Sequence, residues 1–138
     1  MLVELVVENY AVIERVRVRF HRGFNLLTGE TGSGKSIVVD ALSLLFGGRA
    51  SGEVVRSGSE RARISGVFEV PRERAPRQLL EAAGIEPENG ELLIEREVSA
   101  EGKSRAFAGS RPVTAALLRE LSPYLGDIPG QHEQQSLF

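Results

Sequence analysis

Residues 29–36 read GETGSGKS, and the way this octet is flanked decides how the rest of the chain is organised. It satisfies G-x-x-x-x-G-K-[ST] at every fixed position, a pattern that carries chemistry when a strand leads into it and a helix leaves it. Both flanks comply. Phe24 to Thr28 is a short apolar run in front; behind, from Lys35 to Phe46, the residues Ile37, Val38, Ala41, Leu42, Leu44 and Leu45 recur at helical spacing. Glycines at 29, 32 and 34 let the backbone wrap closely around an anion, while successive amides at a helix start supply N–H donors and positive potential. The expected phosphate-binding set is therefore Gly29, Gly32, Ser33 and Gly34, with Glu30 and Thr31 acting through their amides, and Ile37 closing the set in the first turns of the helix. Lys35 offers a compact charge to the outer phosphates, and the Ser36 hydroxyl is placed to ligate Mg²⁺. Lysine occurs only at 35 and 103 in a chain otherwise based on arginine, so Lys35 reads as chemical demand rather than habit. The ligand these residues call for is ATP with Mg²⁺. The bland alternative, a glycine-rich turn capped by Ser33 before an ordinary amphipathic helix, explains neither Lys35 nor the strand in front.

Upstream, residues 2 to 8 are rich in Leu and Val, and residues 15 to 20 alternate Arg15, Val16, Arg17, Val18, Arg19, Phe20, the period of a strand with one wet face. The Asn9 to Ala11 link is short enough for a hairpin. Downstream, Gly47 and Gly48 stop the helix, and residues 49 to 60 form a polar, glycine-rich loop. A strand from about Ala62 to Val70 is closed by Pro71. A short helix then carries Pro76 in its first turn, with Leu79, Leu80 and Ala83 on one side, and ends at Gly84. A second hairpin runs from Leu92 to Val98, turns at Ala100 to Lys103 and returns through Ser104 to Ala108. The spacing predicts a last helix over Thr114 to Leu121, ended by Pro123. Leu125 to Ile128 then reads as a short apolar strand, from which GQHEQQSLF leaves as a loop. The expected fold class is α/β, an antiparallel strand layer beside a partial core sheet and the helix that follows residue 35.

At 138 residues and 41% apolar content the chain can bury one core, so one domain or a piece of one is expected. With a formal charge of −2 and both signs scattered, no broad basic field advertises direct contact with nucleic acid. Cysteine is absent, which excludes a disulfide framework and a thiolate metal site and leaves oxygen ligands for any metal. The opening MLVELVVENY carries Glu4 and no basic segment before its apolar run, the pattern of neither a signal peptide nor a membrane span. The expectation is a soluble, cytoplasmic protein.

The segment ending in ENY, the run FNLLTGETGSGKS and the continuation VVDALSLLFGGRA together resemble the head domain of SMC-like, ABC-type ATPases, in particular bacterial members that serve DNA repair. VVRSGS, GKSRAFAGS and GQHEQQSL extend the resemblance over essentially the whole chain. It implies a P-loop NTPase fold in which residues 1–138 form the N-terminal lobe of a split head. The coiled coil and the C-terminal lobe that completes the head are not in this sequence; no heptad run, Asp-Glu strand end or signature motif occurs in it. By the same resemblance, Gln131 ligates Mg²⁺ and positions the attacking water, and Arg56 is directed toward the phosphates. Asn9 lies in a loop bordering the nucleotide, although Asn is equally a common turn residue. His132 is not carried over as catalytic, and Glu133 is no general base, since the family keeps its catalytic carboxylate in the C-terminal half. The implied partners are that C-terminal lobe, a second head in a homodimer, and DNA through the full-length protein; no membrane is implied. Hydrolysis would need both completions and would serve double-strand break repair by recombination. Two rivals stay open on the residues alone. One is a small self-contained P-loop kinase, which needs an arginine-bearing lid and an acceptor pocket. The other is a dimerisation module that nucleotide merely stabilises.

Overall fold

The computed structural model describes residues 1–20 and 32–126, residues 32–36 by their backbone alone. Among the described residues six strands form one antiparallel sheet: β1 (Leu2–Tyr10), β2 (Ile13–Arg19), β3 (Arg61–Glu69), β4 (Glu91–Ser99), β5 (Ser104–Ala108) and β6 (Arg111–Val113), in the order β2-β1-β3-β4-β5-β6. Three helices accompany them, α1 (Gly32–Leu45), α2 (Arg74–Ala82) and α3 (Ala115–Leu125), with a short 3-10 turn at Gly52–Val54.

The sheet is sorted by period two. In β3, Ala62, Ile64 and Phe68 are buried, and in β4 Leu92, Ile94 and Val98 are, while their neighbours in sequence face the other way. The buried face holds α1 through Val38, Ala41, Leu42 and Leu45, and the same core continues to Leu80 of α2 and Leu118, Leu121 and Leu125 of α3. Gly66 of β3 lies against Leu45 of α1. A Cβ there would lie 2.6 Å from Leu45 Cδ1 and 2.9 Å from the Phe68 ring, so any larger residue would have to displace these core side chains.

The opposite face is a lattice of charges whose sign alternates from strand to strand. β2 carries Arg15, Arg17 and Arg19, β1 carries Glu4 and Glu8, β3 carries Arg61 and Arg63, and β4 carries Glu95 and Glu97. Arg17 Nε donates to Glu4 Oε2 at 2.5 Å, Arg15 pairs with Glu8 at 3.5 Å, and Arg63 reaches both Glu95 and Glu97. The Arg17 hydrogen bond is the main reason the Glu4 carboxyl titrates below its ordinary range. Individual surface pairs contribute only about 0–1 kcal/mol. Their larger use is in register, because a slip by one residue would send these charges into the core.

The hairpins and the glycine stop at residues 47 and 48 fall where the sequence puts them. Three readings need correction. β6 was not expected; it is three residues long, includes Pro112, and offers no alternation to detect. Pro123 does not end α3, which runs on to Leu125. A proline at 123 has no N–H for the carbonyl of Arg119, and the Ser122 hydroxyl donates to that oxygen instead, at 3.0 Å. Burial of Leu121 and Leu125 then keeps the last turn on the core. Leu125 accordingly closes a helix and does not open a strand, while 127 and 128 lie outside the described residues, as do Phe24 to Thr28 and the partial core sheet they would found.

Candidate functional site

The helix α1 starts at Gly32, inside the glycine-rich octet, so the backbone of Gly32, Ser33, Gly34, Lys35 and Ser36 forms its first turn. First-turn amides of a helix have no intrahelical acceptor, and the macrodipole makes that end positive. This is a seat that suits an anion, and it stands where the sequence places the phosphates. Ile37, next along, is half-buried. Gly29, Glu30 and Thr31 lie outside the described residues, and so do Gln131, His132 and Glu133. A serine hydroxyl at position 36, with phosphate oxygens, is the hard oxygen donor set that Mg²⁺ takes.

Two further candidates, Asn9 and Arg56, come from segments 47 positions apart, and the fold joins them directly: the Arg56 N–H donates to the Asn9 carbonyl at 2.8 Å. The contact belongs to a small annex. Tyr10 forms a bridge with Val55, and the Ala11 N–H donates to the Val54 carbonyl at 2.7 Å. Asn9 and Ala11 both adopt φ of 53°, in the left-handed region that asparagine tolerates better than alanine. The strained turn between β1 and β2 is thus clamped by the loop that follows α1, and Arg56 is half-buried in that clamp.

The annex is tied to α1 by a pair the sequence reading missed. The Tyr10 hydroxyl is hydrogen-bonded to Asp40, and Tyr10 is buried. Burial first, and then the Asp40 charge and hydrogen bond, raise the phenol above its ordinary pKa. Asp40 lies four residues, about one helical turn, beyond Ser36. Asn9 and Arg56 are in this way fastened to the helix that carries Lys35. Nothing in local sequence connects Tyr10 with Asp40.

The far end of α1 is held differently. Gly47 takes φ of 94°, its N–H donates to Leu44 O at 3.1 Å, and the Gly48 N–H donates to Ser43 O at 2.8 Å, closing the helix in a Schellman motif. Two guanidinium groups add donors at this end. Arg96 donates from Nη1 to Leu44 O at 2.6 Å and to Gly48 O at 3.0 Å, and Arg119 donates from Nη1 to Gly47 O at 2.8 Å. Arg96 is 2% exposed, and burial followed by repulsion from Arg119 lowers its pKa from the ordinary guanidinium value. One signal could have found it: Arg96 occupies the apolar parity of Leu92, Ile94 and Val98. Among the described residues no cluster of three His, Asp or Glu side chains could hold a metal, and no helix is long and apolar enough to cross a membrane.

A family model described as an AAA domain matches residues 4–108. The DNA repair protein RecN of Halalkalibacterium halodurans is 45% identical over 99% of this chain, and that of Bacillus subtilis 43% over 99%. The chain spans about a quarter of these relatives, 24% of the length of each. Among solved structures, one from work on ATP-driven dimerization and DNA-stimulated activation of SMC ATPases superposes with a TM-score of 0.67 at 19% identity, covering 90% of this chain and 78% of that one. The recombination mediator protein RecF in its ATP form gives a TM-score of 0.56 at 19% identity, covering 82% of this chain and 27% of that one. At such identities the likeness fixes the fold, that of an SMC- or RecF-type ATPase head.

Proposed function

The chain belongs to the AAA domain family, and on that premise we propose that it is the nucleotide-binding N-terminal lobe of an SMC-like ATPase of the kind used in bacterial DNA double-strand break repair and recombination. The observation that carries the reading is the octet GETGSGKS at the start of α1. Unpaired first-turn amides receive the phosphates, Lys35 meets the outer phosphate oxygens, and Ser36 holds Mg²⁺. Mg²⁺, when bound there, would supply charge neutralisation to the nucleotide's phosphates. Arg56, held by Asn9 and indirectly by Tyr10 and Asp40, stands ready to offset negative charge developing there. Gln131 supplies a second metal ligand and orients water.

Turnover requires a base and a closing surface, and in this reading both come from elsewhere: the C-terminal lobe of the same protein and a second head. DNA enters through the assembled protein. The working compartment is the cytoplasm.

The test is steady-state ATP hydrolysis by this chain alone and after addition of its C-terminal continuation, with Lys35→Ala as control in both. Lys35-dependent turnover confined to the mixture is the expected result. Equal Lys35-dependent turnover by the chain alone would overturn the split-head reading and favour a self-contained phosphotransferase.

A further inference from the structure

The loop that carries Arg56 is fastened to two hairpin turns, and only one of them belongs to the annex beside α1. The second is the turn between β4 and β5, residues 100–103. Its Ala100 N–H donates to the Glu60 carbonyl at 2.8 Å, four residues beyond Arg56. Four residues before Arg56, Gly52 is pressed against the same turn. A Cβ on Gly52 would lie 2.3 Å from the Ala100 carbonyl oxygen and 3.1 Å from the Gly102 nitrogen. Gly52 is not in the left-handed region, so close approach, and not backbone conformation, calls for glycine there.

The atoms Gly52 meets are backbone, and the turn they belong to closes on itself. The Gly102 N–H donates to Ser99 O at 2.9 Å, the Ser99 N–H to Lys103 O at 2.8 Å, and the Lys103 N–H to Ser99 Oγ at 3.1 Å. Such a turn yields less readily than the tip of a side chain, so a methyl group at position 52 would displace the loop. The displacement would travel. Gly52–Val54 is a 3-10 turn in which the Val55 N–H donates to Gly52 O at 3.1 Å, and Arg56 follows directly. Arg56 then opens a further turn, its carbonyl accepting from the Ser59 N–H at 2.9 Å. The Arg56 backbone is thus held from both sides. None of the ion pairs among the described residues involves its guanidinium, which leaves that charge for a ligand.

Taking Arg56, as in the function proposed above, to be the group that meets the outer phosphates, we propose that Gly52 and the β4–β5 turn are its positioning element and thereby favour nucleoside triphosphate over diphosphate. A long side chain on a fixed anchor loses less freedom on binding, and its charge is aimed before the ligand arrives. The terminal phosphate exists only in ATP. A shifted anchor therefore weakens ATP and spares ADP, whose phosphates still meet the amides at the start of α1.

The experiment is calorimetric titration of MgATP and of MgADP into the chain, Arg56→Ala, Gly52→Ala and the double variant, each first shown to be folded by circular dichroism. Arg56→Ala should weaken MgATP by about tenfold for the lost charge-assisted contact and leave MgADP unchanged. Gly52→Ala should weaken MgATP by about threefold or more, leave MgADP unchanged, and add nothing in the Arg56→Ala background. If Gly52→Ala does not fold, Ala100→Pro decides, since it withdraws the N–H that holds Glu60 O; Ser99 before it is already in a strand, the conformation a residue preceding proline prefers. Equal losses for ATP and ADP, or a loss that persists without Arg56, would mark a merely structural contact and overturn the proposal. Wild-type affinities in folded Gly52→Ala, with Arg56→Ala selective for ATP, would overturn it while the reading of Arg56 stands. An unchanged ATP preference in Arg56→Ala would remove that reading and the positioning role together.

Discussion

The two ends of α1 solve the same problem in opposite ways. Every helix leaves amides unpaired at its start and carbonyls unpaired at its end. At the end of α1 the protein supplies donors of its own, with the Gly47–Gly48 turn and the guanidiniums of Arg96 and Arg119 brought from β4 and α3. At the start it supplies glycines, Lys35 and Ser36, a composition suited to a visiting anion. The closed end is a matter of stability and the open end a matter of binding. Substitutions at the two ends should therefore separate folding from ligand affinity.

The largest effect is expected at the closed end. Arg96→Ala removes the donor to Leu44 O and Gly48 O from a buried position and leaves a void, which should destabilise the fold by about 3–5 kcal/mol. Denaturant unfolding measures it directly. A loss below about 1 kcal/mol would mean that water replaces the guanidinium there, a result in line with a weak single hydrogen bond.

Gly47→Ala comes next. Its Cβ would sit 2.5 Å from Arg119 Cγ and 2.6 Å from the Ala115 carbonyl oxygen, at a φ of 94°. A cost of about 1–3 kcal/mol is expected from the backbone conformation and the crowding together. If the comparison between the two ends is sound, the melting temperature falls while nucleotide affinity of the remaining folded protein is unchanged.

The smallest effect sharpens the link between the annex and α1. Tyr10→Phe deletes the hydrogen bond to Asp40 and should cost about 1 kcal/mol. It should also change the alkaline limb of stability. The folded-state pKa of Tyr10 is raised, so its contribution is complete below the unfolded value of about 10 and is lost as pH rises through the folded value. Wild type should therefore lose stability above about pH 10 more steeply than Tyr10→Phe, a difference that thermal melts across that range would show.

Much of this architecture is written locally. The octet announces α1, Gly47 announces its end, and the alternation from Leu92 to Val98 announces β4. What escapes local reading depends on partners distant in sequence. Arg96 breaks an apolar alternation for the sake of carbonyls 48 and 52 positions away. Tyr10 meets Asp40 only once the sheet has packed against α1. Pro123 looks like a stop until the Ser122 hydroxyl takes over the Arg119 carbonyl. β6 is too short and too proline-bearing to announce itself, and is defined by its pairing with β5. At the candidate site, the glycines and Lys35 are legible because phosphate binding constrains backbone and charge at fixed spacing. The joining of Asn9 to Arg56 is tertiary, and spacing alone carries no trace of it.

The central claim is that the start of α1 binds MgATP through Lys35 while the end of α1 only holds the fold. Calorimetric titration of MgATP into the chain, its Lys35→Ala variant and its Gly47→Ala variant tests it most directly. The account predicts saturable binding to wild type and to Gly47→Ala, with Lys35→Ala weaker by roughly 10- to 100-fold for the lost charge-assisted contact. Binding that survives Lys35→Ala unchanged, or that Gly47→Ala abolishes in folded protein, would contradict it.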